Sequence, residues 1–137
     1  MSRANRVKGT RRYGGVLIVT AWINDCDLKL LVDTGAALSA ITKDAAILLN
    51  IDFYHPVRLD QVVVANGAKI TVPVVKLKEV KVGGYQASGL EALVLEFPPE
   101  LRLDGLLGVN FLESLRPTFE FDTATLVLRR AGSSRIS

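Results

Sequence analysis

Short apolar runs separated by turn-forming residues recur along most of the chain, which is the pattern of a β-rich domain. Residues 16–22 and 28–32 are rich in leucine and β-branched residues and flank the polar cluster 24–27, which predicts a hairpin. Residues 59–64 and 69–75 flank an Asn-Gly pair, which favours a second hairpin because both residues tolerate positive φ. The first half of the chain is therefore predicted to contain two hairpins.

The strand pattern continues through the second half of the chain. Residues 74–82 alternate apolar and charged side chains, which predicts a strand with one buried face. We expect further strands over residues 85–97 and 103–108, and a final hairpin formed by residues 118–121 and 125–129.

Two segments have helical character instead. Residues 42–50 begin with a threonine suited to capping, carry an acid in the first turn and contain good helix formers. Residues 109–115 are followed by Pro117, which cannot continue a helix. The predicted fold class is all-β with one or two short helices.

Composition limits the chemistry that the chain can carry. Its 137 residues are 49% hydrophobic and 23% charged, which suits one globular domain with a real core. A single cysteine, Cys26, excludes an intramolecular disulfide framework and a cysteine-rich zinc site. There is also only one histidine, His55, so a histidine-based metal centre would need a partner chain to complete it, and we predict no metal site and no cofactor.

Basic residues are concentrated at the N-terminus. Residues 1–12 hold five of the 17 lysines and arginines and no acid, so 12 basic residues remain against the 14 acidic ones. We interpret residues 1–12 as a basic, flexible N-terminal arm, residues 13–130 as the domain and residues 131–137 as a flexible tail. The domain offers no broad basic face, so nucleic-acid binding is disfavoured and stays open only as a weaker role of the arm.

No apolar run approaches the roughly 18 residues needed to cross a bilayer. We therefore expect a soluble, cytoplasmic chain with no membrane segment of its own. Whether it is excised from a longer or membrane-anchored parent is left open.

One segment, LLVDTGA at residues 30–36, carries candidate chemistry. Its apolar strand ends directly at Asp33, which fixes a carboxylate on a rigid scaffold. Thr34 can lock the following turn by hydrogen bonding, and Gly35 permits a tight turn and close approach of another backbone. An Asp-Thr-Gly tripeptide alone often does no more than end a strand, so the neighbouring residues decide the interpretation.

Those neighbours resemble a known family. The stretch LLVDTGAALSAI is similar to the active-site loop of the retropepsin-like aspartic proteases, and the matching positions are Asp33, Thr34, Gly35, Ala36, Ser39 and Ile41. Downstream, VVVANGAKI is similar to the family's flap hairpin, and LDGLLGVNFLESL to its second signature of an apolar-apolar-Gly strand leading into a helix. The resemblance covers roughly residues 13–130, in family order. At Val109 the chain departs from the retroviral members, which usually carry an arginine there.

The resemblance implies a closed or partly open β-barrel-like acid-protease fold, with one lobe per chain, active as a homodimer. It implies an aspartic endopeptidase that hydrolyses extended polypeptides through a water activated by an Asp33/Asp33′ pair. The implied catalytic residues are Asp33, Thr34 and Gly35, with Thr34 bonding across the dimer axis. The residues implied in substrate binding are Ala36, Val64, Ala65, Asn66, Gly67 and Ala68.

The sequence leaves two further alternatives. The alternative function is a catalytically silent dimerisation or peptide-binding module, because function depends on the site and not on the fold. The protease hypothesis also admits self-processing, for which a bond near Arg12–Tyr13 is one candidate.

Overall fold

The structure is a computed structural model that describes residues 4–12 and 14–130, and this part of the chain is built mainly from β-strands. The strands are β1 (Ala4–Lys8), β2 (Thr10–Arg12), β3 (Val16–Ile23), β4 (Cys26–Val32), β5 (Ser39–Thr42), β6 (Arg58–Val63), β7 (Lys69–Val82), β8 (Tyr85–Leu95), β9 (Gly105–Leu107), β10 (Thr118–Glu120) and β11 (Thr125–Arg129). The helices are α1 (Lys43–Leu48) and α2 (Val109–Leu112), with 3₁₀ turns at Pro99–Leu101, Glu113–Leu115 and Phe121–Thr123. The predicted fold class is confirmed, and the predicted tail at 131–137 lies outside the described residues.

Eight of these strands form one sheet that closes on itself. Their order is β2-β3-β4-β9-β5-β8-β7-β6, and β3 pairs a second time with β7, through Trp22 with Lys81 and Ile23 with Val80. That second pairing joins the two sides of the sheet into a small barrel and leaves β2 and β6 as its edges. The expected partly open barrel is therefore present.

The interior of the barrel is filled by branched aliphatic side chains that alternate with outward-facing residues. In β4, Leu28 and Leu30 are buried whereas Asp27 and Lys29 are exposed. Fully burying one such side chain stabilises the fold by about 1.5–3 kcal/mol. The most deeply buried large side chains include Ile23, Leu30, Ile41, Leu77, Leu107 and Leu112.

Strand β9 lies between β4 and β5, parallel to β4 and antiparallel to β5. Gly105 permits this insertion, because a Cβ built on it would lie 2.1 Å from the carbonyl oxygen of Ala40. A segment from the second half of the chain is thus placed beside the strand that carries Asp33.

Two turns differ in detail from the sequence prediction. Asn24 and Asp25 alone form the β3–β4 turn, with φ of 49° and 70°, which is the conformation of a tight two-residue hairpin. In the second hairpin only Gly67 has positive φ, at 85°. Gly67 donates its N–H to the carbonyl of Val64 at 2.8 Å, so the turn begins two residues before Asn66.

The two predicted helices are present but shorter than the sequence indicated. Helix α1 is capped by Thr42, whose hydroxyl accepts the N–H of Ala45 at 3.0 Å, and it ends at Leu48. Helix α2 covers only Val109–Leu112 before it tightens into a 3₁₀ turn.

The N-terminal segment differs from the arm expected from its basic composition. Strand β1 pairs with β11 in a three-stranded sheet of order β1-β11-β10, and β2 pairs with β3. Arg6 and Lys8 are exposed while Val7 packs against the core. Because the charges occupy only the outer face of β1, a composition rich in arginine and lysine is compatible with a paired strand.

Candidate active site

Asp33 lies where β4 leaves the sheet, directly beside the end of β9. The preceding residue, Val32, pairs with Leu107, and the N–H of Asp33 donates to the carbonyl of Leu107 at 3.0 Å. The residue is half-buried. Its backbone is therefore fixed by a neighbouring strand while its carboxylate remains accessible.

The loop after Asp33 holds the carboxylate from the other side. The N–H of Gly35 donates to Asp33 Oδ1 at 2.9 Å, and the N–H of Ala36 donates to the Asp33 carbonyl at 3.3 Å. A Cβ on Gly35 would lie 3.2 Å from Oδ1, so a side chain there would crowd this oxygen. The single bond from the Gly35 N–H fixes the direction of the carboxylate. Oδ2 has no hydrogen-bond partner within residues 4–12 and 14–130.

The segment after β9 supports this loop from beneath. The N–H of Val109 donates to the carbonyl of Ala36 at 2.8 Å, and the N–H of Asn110 donates to that of Ala37 at 3.1 Å. A Cβ on Gly108 would lie 2.7 Å from the backbone of Leu38, so glycine allows the two segments to approach closely. The interaction of Val109 with the loop is made by its backbone.

A polar pair that sequence reasoning missed, formed by buried Ser39 and half-buried Asn110, lies beside this support. Ser39, 2% exposed, donates both its N–H and its hydroxyl to Asn110 Oδ1, each at 2.9 Å. In the sequence, Ser39 stands out only as a match to the family pattern, and Asn110 has no predicted role. The available signal is a polar residue inside an apolar run, in LSAI and in VNFL.

The predicted flap residues form the turn between β6 and β7. The N–H of Val64 donates to the carbonyl of Ala68 at 2.9 Å, and the N–H of Ala68 donates to Asn66 Oδ1 at 2.9 Å. Ala65, Asn66, Gly67 and Ala68 are all exposed. In the described part of the chain no hydrogen bond joins this turn to the Asp33 loop, so the two groups of predicted residues form separate elements of the protomer.

The base of the same hairpin is tied to β8 by ionic contacts. Arg58 Nη1 lies 2.6 Å from Glu91 Oε1, and Arg58 Nε lies 3.3 Å from Asp60 Oδ1. The hydrogen bond to Glu91, followed by that to Asp60, raises the pKa of the Arg58 guanidinium. The contact with Glu91 fixes where the hairpin leaves the barrel.

A cavity of about 690 Å³ is lined by none of the predicted site residues. It lies at the β3–β4 turn, beside Asn24 and Asp25. Asp33 is at the opposite end of β4, about 25 Å away along the strand at 3.3 Å per residue. Cavity size therefore does not identify the candidate site, whereas the geometry of the Asp33 loop does.

The described residues contain neither a metal-binding cluster nor a membrane-spanning helix. No three of their histidine, cysteine, aspartate or glutamate side chains are grouped so that they could hold a metal ion. No helix among them is long and apolar enough to cross a membrane.

Comparison with known proteins places this geometry in context. A family model described as aspartyl protease matches residues 19–111. The chain is similar in structure to a retropepsin-like aspartic protease from Rickettsia conorii, with 23% identity and a TM-score of 0.71, covering 95% of this chain and 94% of that one. It is also similar to the EIAV protease complexed with the inhibitor HBY-793, with 22% identity and a TM-score of 0.55, covering 76% and 91% of the two chains. The comparison with curated proteins gave no match. The retropepsin-like fold expected from the sequence is confirmed.

Proposed function

The chain belongs to the aspartyl protease family, and from that premise we propose that it is an aspartic endopeptidase that acts as a homodimer. The observation that carries the proposal is the loop around Asp33, in which the N–H of Gly35 orients one carboxylate oxygen and the other oxygen is left accessible. The chain has a single Asp-Thr-Gly sequence, and the nearest lookalike, Asp122–Thr123–Ala124, lacks the glycine and belongs to a turn before β11.

A second chain supplies the second carboxylate. Two-fold symmetry places the same surface of both chains at the interface, so a loop lying on the axis brings Asp33 close to Asp33′. Two carboxylates about 3 Å apart cannot both ionise, so the pair holds one shared proton, as aspartic proteases do in general. One member then acts as a base and the other as an acid.

The proposed reaction is hydrolysis of a peptide bond. The ionised carboxylate takes a proton from a water, whose oxygen attacks the scissile carbonyl carbon, while the protonated carboxylate gives its proton to the carbonyl oxygen. The tetrahedral intermediate then collapses, the C–N bond breaks and the leaving nitrogen takes up a proton. One water is consumed for each peptide bond cleaved, and the products are a carboxylic acid and an amine.

The remaining predicted residues have positioning and binding roles in this proposal. Thr34 is exposed and its hydroxyl has no partner within the described residues of the protomer, so it is free to bond across the axis. Gly35 and Ala36 are small enough to admit an extended peptide. The turn Val64–Ala68 of each chain would close over that peptide, whose backbone adds to the site as a strand does.

Self-processing near Arg12–Tyr13 stays a prediction. Arg12 pairs with Val16 at the edge of the barrel, so β2 would have to separate from β3 before that bond could enter an active site. N-terminal sequencing of purified protein after prolonged incubation tests it, and an unchanged N-terminus counts against it.

The decisive experiment combines activity with subunit mixing. Wild-type protein should cleave a peptide library at acidic to neutral pH and Asp33→Asn should not, with unfolding curves that agree closely. Equal amounts of the two proteins, allowed to exchange subunits, should leave about a quarter of the dimers with two Asp33 carboxylates. Activity per wild-type chain should therefore fall to about half.

Each alternative outcome has a clear meaning. Unchanged activity per wild-type chain on mixing would show that one chain is sufficient and would refute the dimeric site. Cleavage by purified Asp33→Asn would refute the catalytic assignment. A stable dimer that binds peptides but cleaves none would support the silent module.

A further inference from the structure

We infer that Ser39 and Asn110 are positioning residues that hold the Asp33 loop in its reactive geometry, an inference that rests on the proposed function. Neither residue need contact the substrate. Their effect is transmitted through the backbone of residues 107–110, which carries hydrogen bonds to the Asp33 loop.

The hydrogen bonds of this pair form a closed, directional set. The N–H of Gly108 can only donate, and it points at Ser39 Oγ at 3.0 Å. The Ser39 hydroxyl therefore accepts that bond and directs its own proton to Asn110 Oδ1, 2.9 Å away. Oδ1 also accepts the Ser39 N–H, so both of its lone pairs are used.

The other end of the Asn110 amide is equally fixed. Nδ2 donates to the carbonyl oxygen of Glu91 at 2.8 Å. Reversing the amide would place Nδ2 against the N–H of Ser39 and Oδ1 against the carbonyl of Glu91, which are two repulsive contacts. An asparagine therefore matches this position, because it accepts on one side and donates on the other.

The segment fixed by this pair is the one that supports the catalytic loop. Leu107 accepts the N–H of Asp33, and Val109 and Asn110 donate to Ala36 and Ala37. A shift of Gly108 would therefore move the acceptor before it and the donors after it together. A displacement of about 1 Å at a catalytic group can cost about 100-fold in rate.

The pair also connects the loop to the base of the flap hairpin. The Glu91 carbonyl accepts from Asn110, while its carboxylate pairs with Arg58. The support of the Asp33 loop and the base of the hairpin are thus both attached to β8, through Glu91. This gives the pair a role in aligning the site that a residue serving only to fill the core would lack.

Three substitutions separate positioning from general stability. Ser39→Ala removes the hydroxyl, Ser39→Thr keeps it, and Asn110→Asp keeps the shape but removes the donor to Glu91. Ser88→Ala and Asn50→Asp are matched controls, because both residues are exposed and lie outside the site. We expect Ser39→Ala to lower kcat by about 10- to 100-fold with a nearly unchanged KM, and Ser39→Thr to restore most of it.

Asn110→Asp provides a readout that a purely structural role would not produce. In this variant an ionised carboxylate faces the Glu91 carbonyl, whereas a protonated carboxyl can donate to it. The ratio of variant to wild-type kcat should therefore rise as the pH falls. The Asn50→Asp ratio should stay flat. Folded, dimeric Ser39→Ala and Asn110→Asp with wild-type kcat at every pH would overturn the inference.

Hydrogen exchange separates failure of this inference from failure of the proposed function. If wild-type protein cleaves no peptide, the amide protons of Asp33 and Ala36 still report on the loop. They should exchange at least about tenfold faster in Ser39→Ala than in Ser88→Ala. Equal exchange rates would refute the positioning role, whether or not the protein is an enzyme.

Discussion

Asp33 and Leu107 are joined by a backbone hydrogen bond of 3.0 Å, from the N–H of the candidate catalytic residue to the last carbonyl of β9. The two residues belong to different halves of the chain and meet only because β9 is inserted between β4 and β5. The position of the carboxylate therefore depends on the second half of the chain as much as on the Asp-Thr-Gly sequence itself.

The close packing beneath the loop predicts a strong effect of Gly108→Ala. The added Cβ would lie 2.7 Å from Leu38 and 2.8 Å from the Ala36 oxygen, and both contacts are to backbone, which cannot move aside cheaply. We expect the substitution to lower the free energy of unfolding by about 1–3 kcal/mol and to abolish most of the activity. Urea denaturation and peptide cleavage measure the two effects. Exposed Ser114→Ala is the control, and equal stability of the two variants would contradict the packing argument.

The flap turn predicts a different kind of glycine effect. Gly67 has φ of 85° and no atom within 4 Å of a built Cβ, so Gly67→Ala introduces backbone strain without a clash. We expect a loss of about 1 kcal/mol in stability and a lower kcat/KM. Gly67→Asn should recover most of both, because asparagine tolerates the left-handed region. Identical unfolding curves for alanine and asparagine at this position would show that the turn is not strained.

Strand β1 should contribute to the stability of the domain. Val7 packs against the core, whereas its neighbour Arg6 is exposed. Val7→Ala should lower the free energy of unfolding by about 1 kcal/mol, because it removes apolar contacts. Arg6→Ala, measured by the same denaturant titration, should have the smaller effect. If Val7→Ala is silent, the N-terminal segment is an arm, as its composition suggests.

An ion pair between the outer strands of the three-stranded sheet predicts a pH effect. Arg6 on β1 pairs with Glu120 on β10, across β11, and its hydrogen bond and charge hold the pKa of Glu120 below the ordinary 4.5. A lowered native pKa contributes stability above about pH 4.5, which is lost as the pH falls through the native value. Wild-type protein should therefore be more stable than Glu120→Gln at pH 6, and the difference should shrink steadily on acidification.

The control for this pH effect is Glu113→Gln. Glu113 is exposed and has no ion-pair partner among the described residues, so its removal should leave the pH dependence of the melting temperature close to that of the wild type. A Glu120→Gln curve that stays parallel to the wild-type curve down to pH 3 would rule out the ion pair as a source of stability.

Local signals in the sequence were sufficient for much of the protein. The hairpin between β3 and β4, the cap at Thr42 and the strand leading to Asp33 all depend on neighbouring residues, and all three were predicted, although the turn at Asn24 and Asp25 is tighter than expected. The exact start of the flap turn was not predicted, because an Asn-Gly pair fits more than one turn type. Which type forms depends on the register of the two strands.

The sequence by itself determined the strand-rich pattern, the carboxylate at the end of an apolar strand and the family resemblance, since these need only residue types and their spacing. The tertiary structure decided the insertion of β9, the closure of the barrel through β3 and β7, the pairing of β1 with β11 and the partnership of Ser39 with Asn110. Those contacts join residues far apart in the chain. Their energy arises only when burial removes water from both partners, and a linear pattern of polar and apolar positions does not record which partners meet.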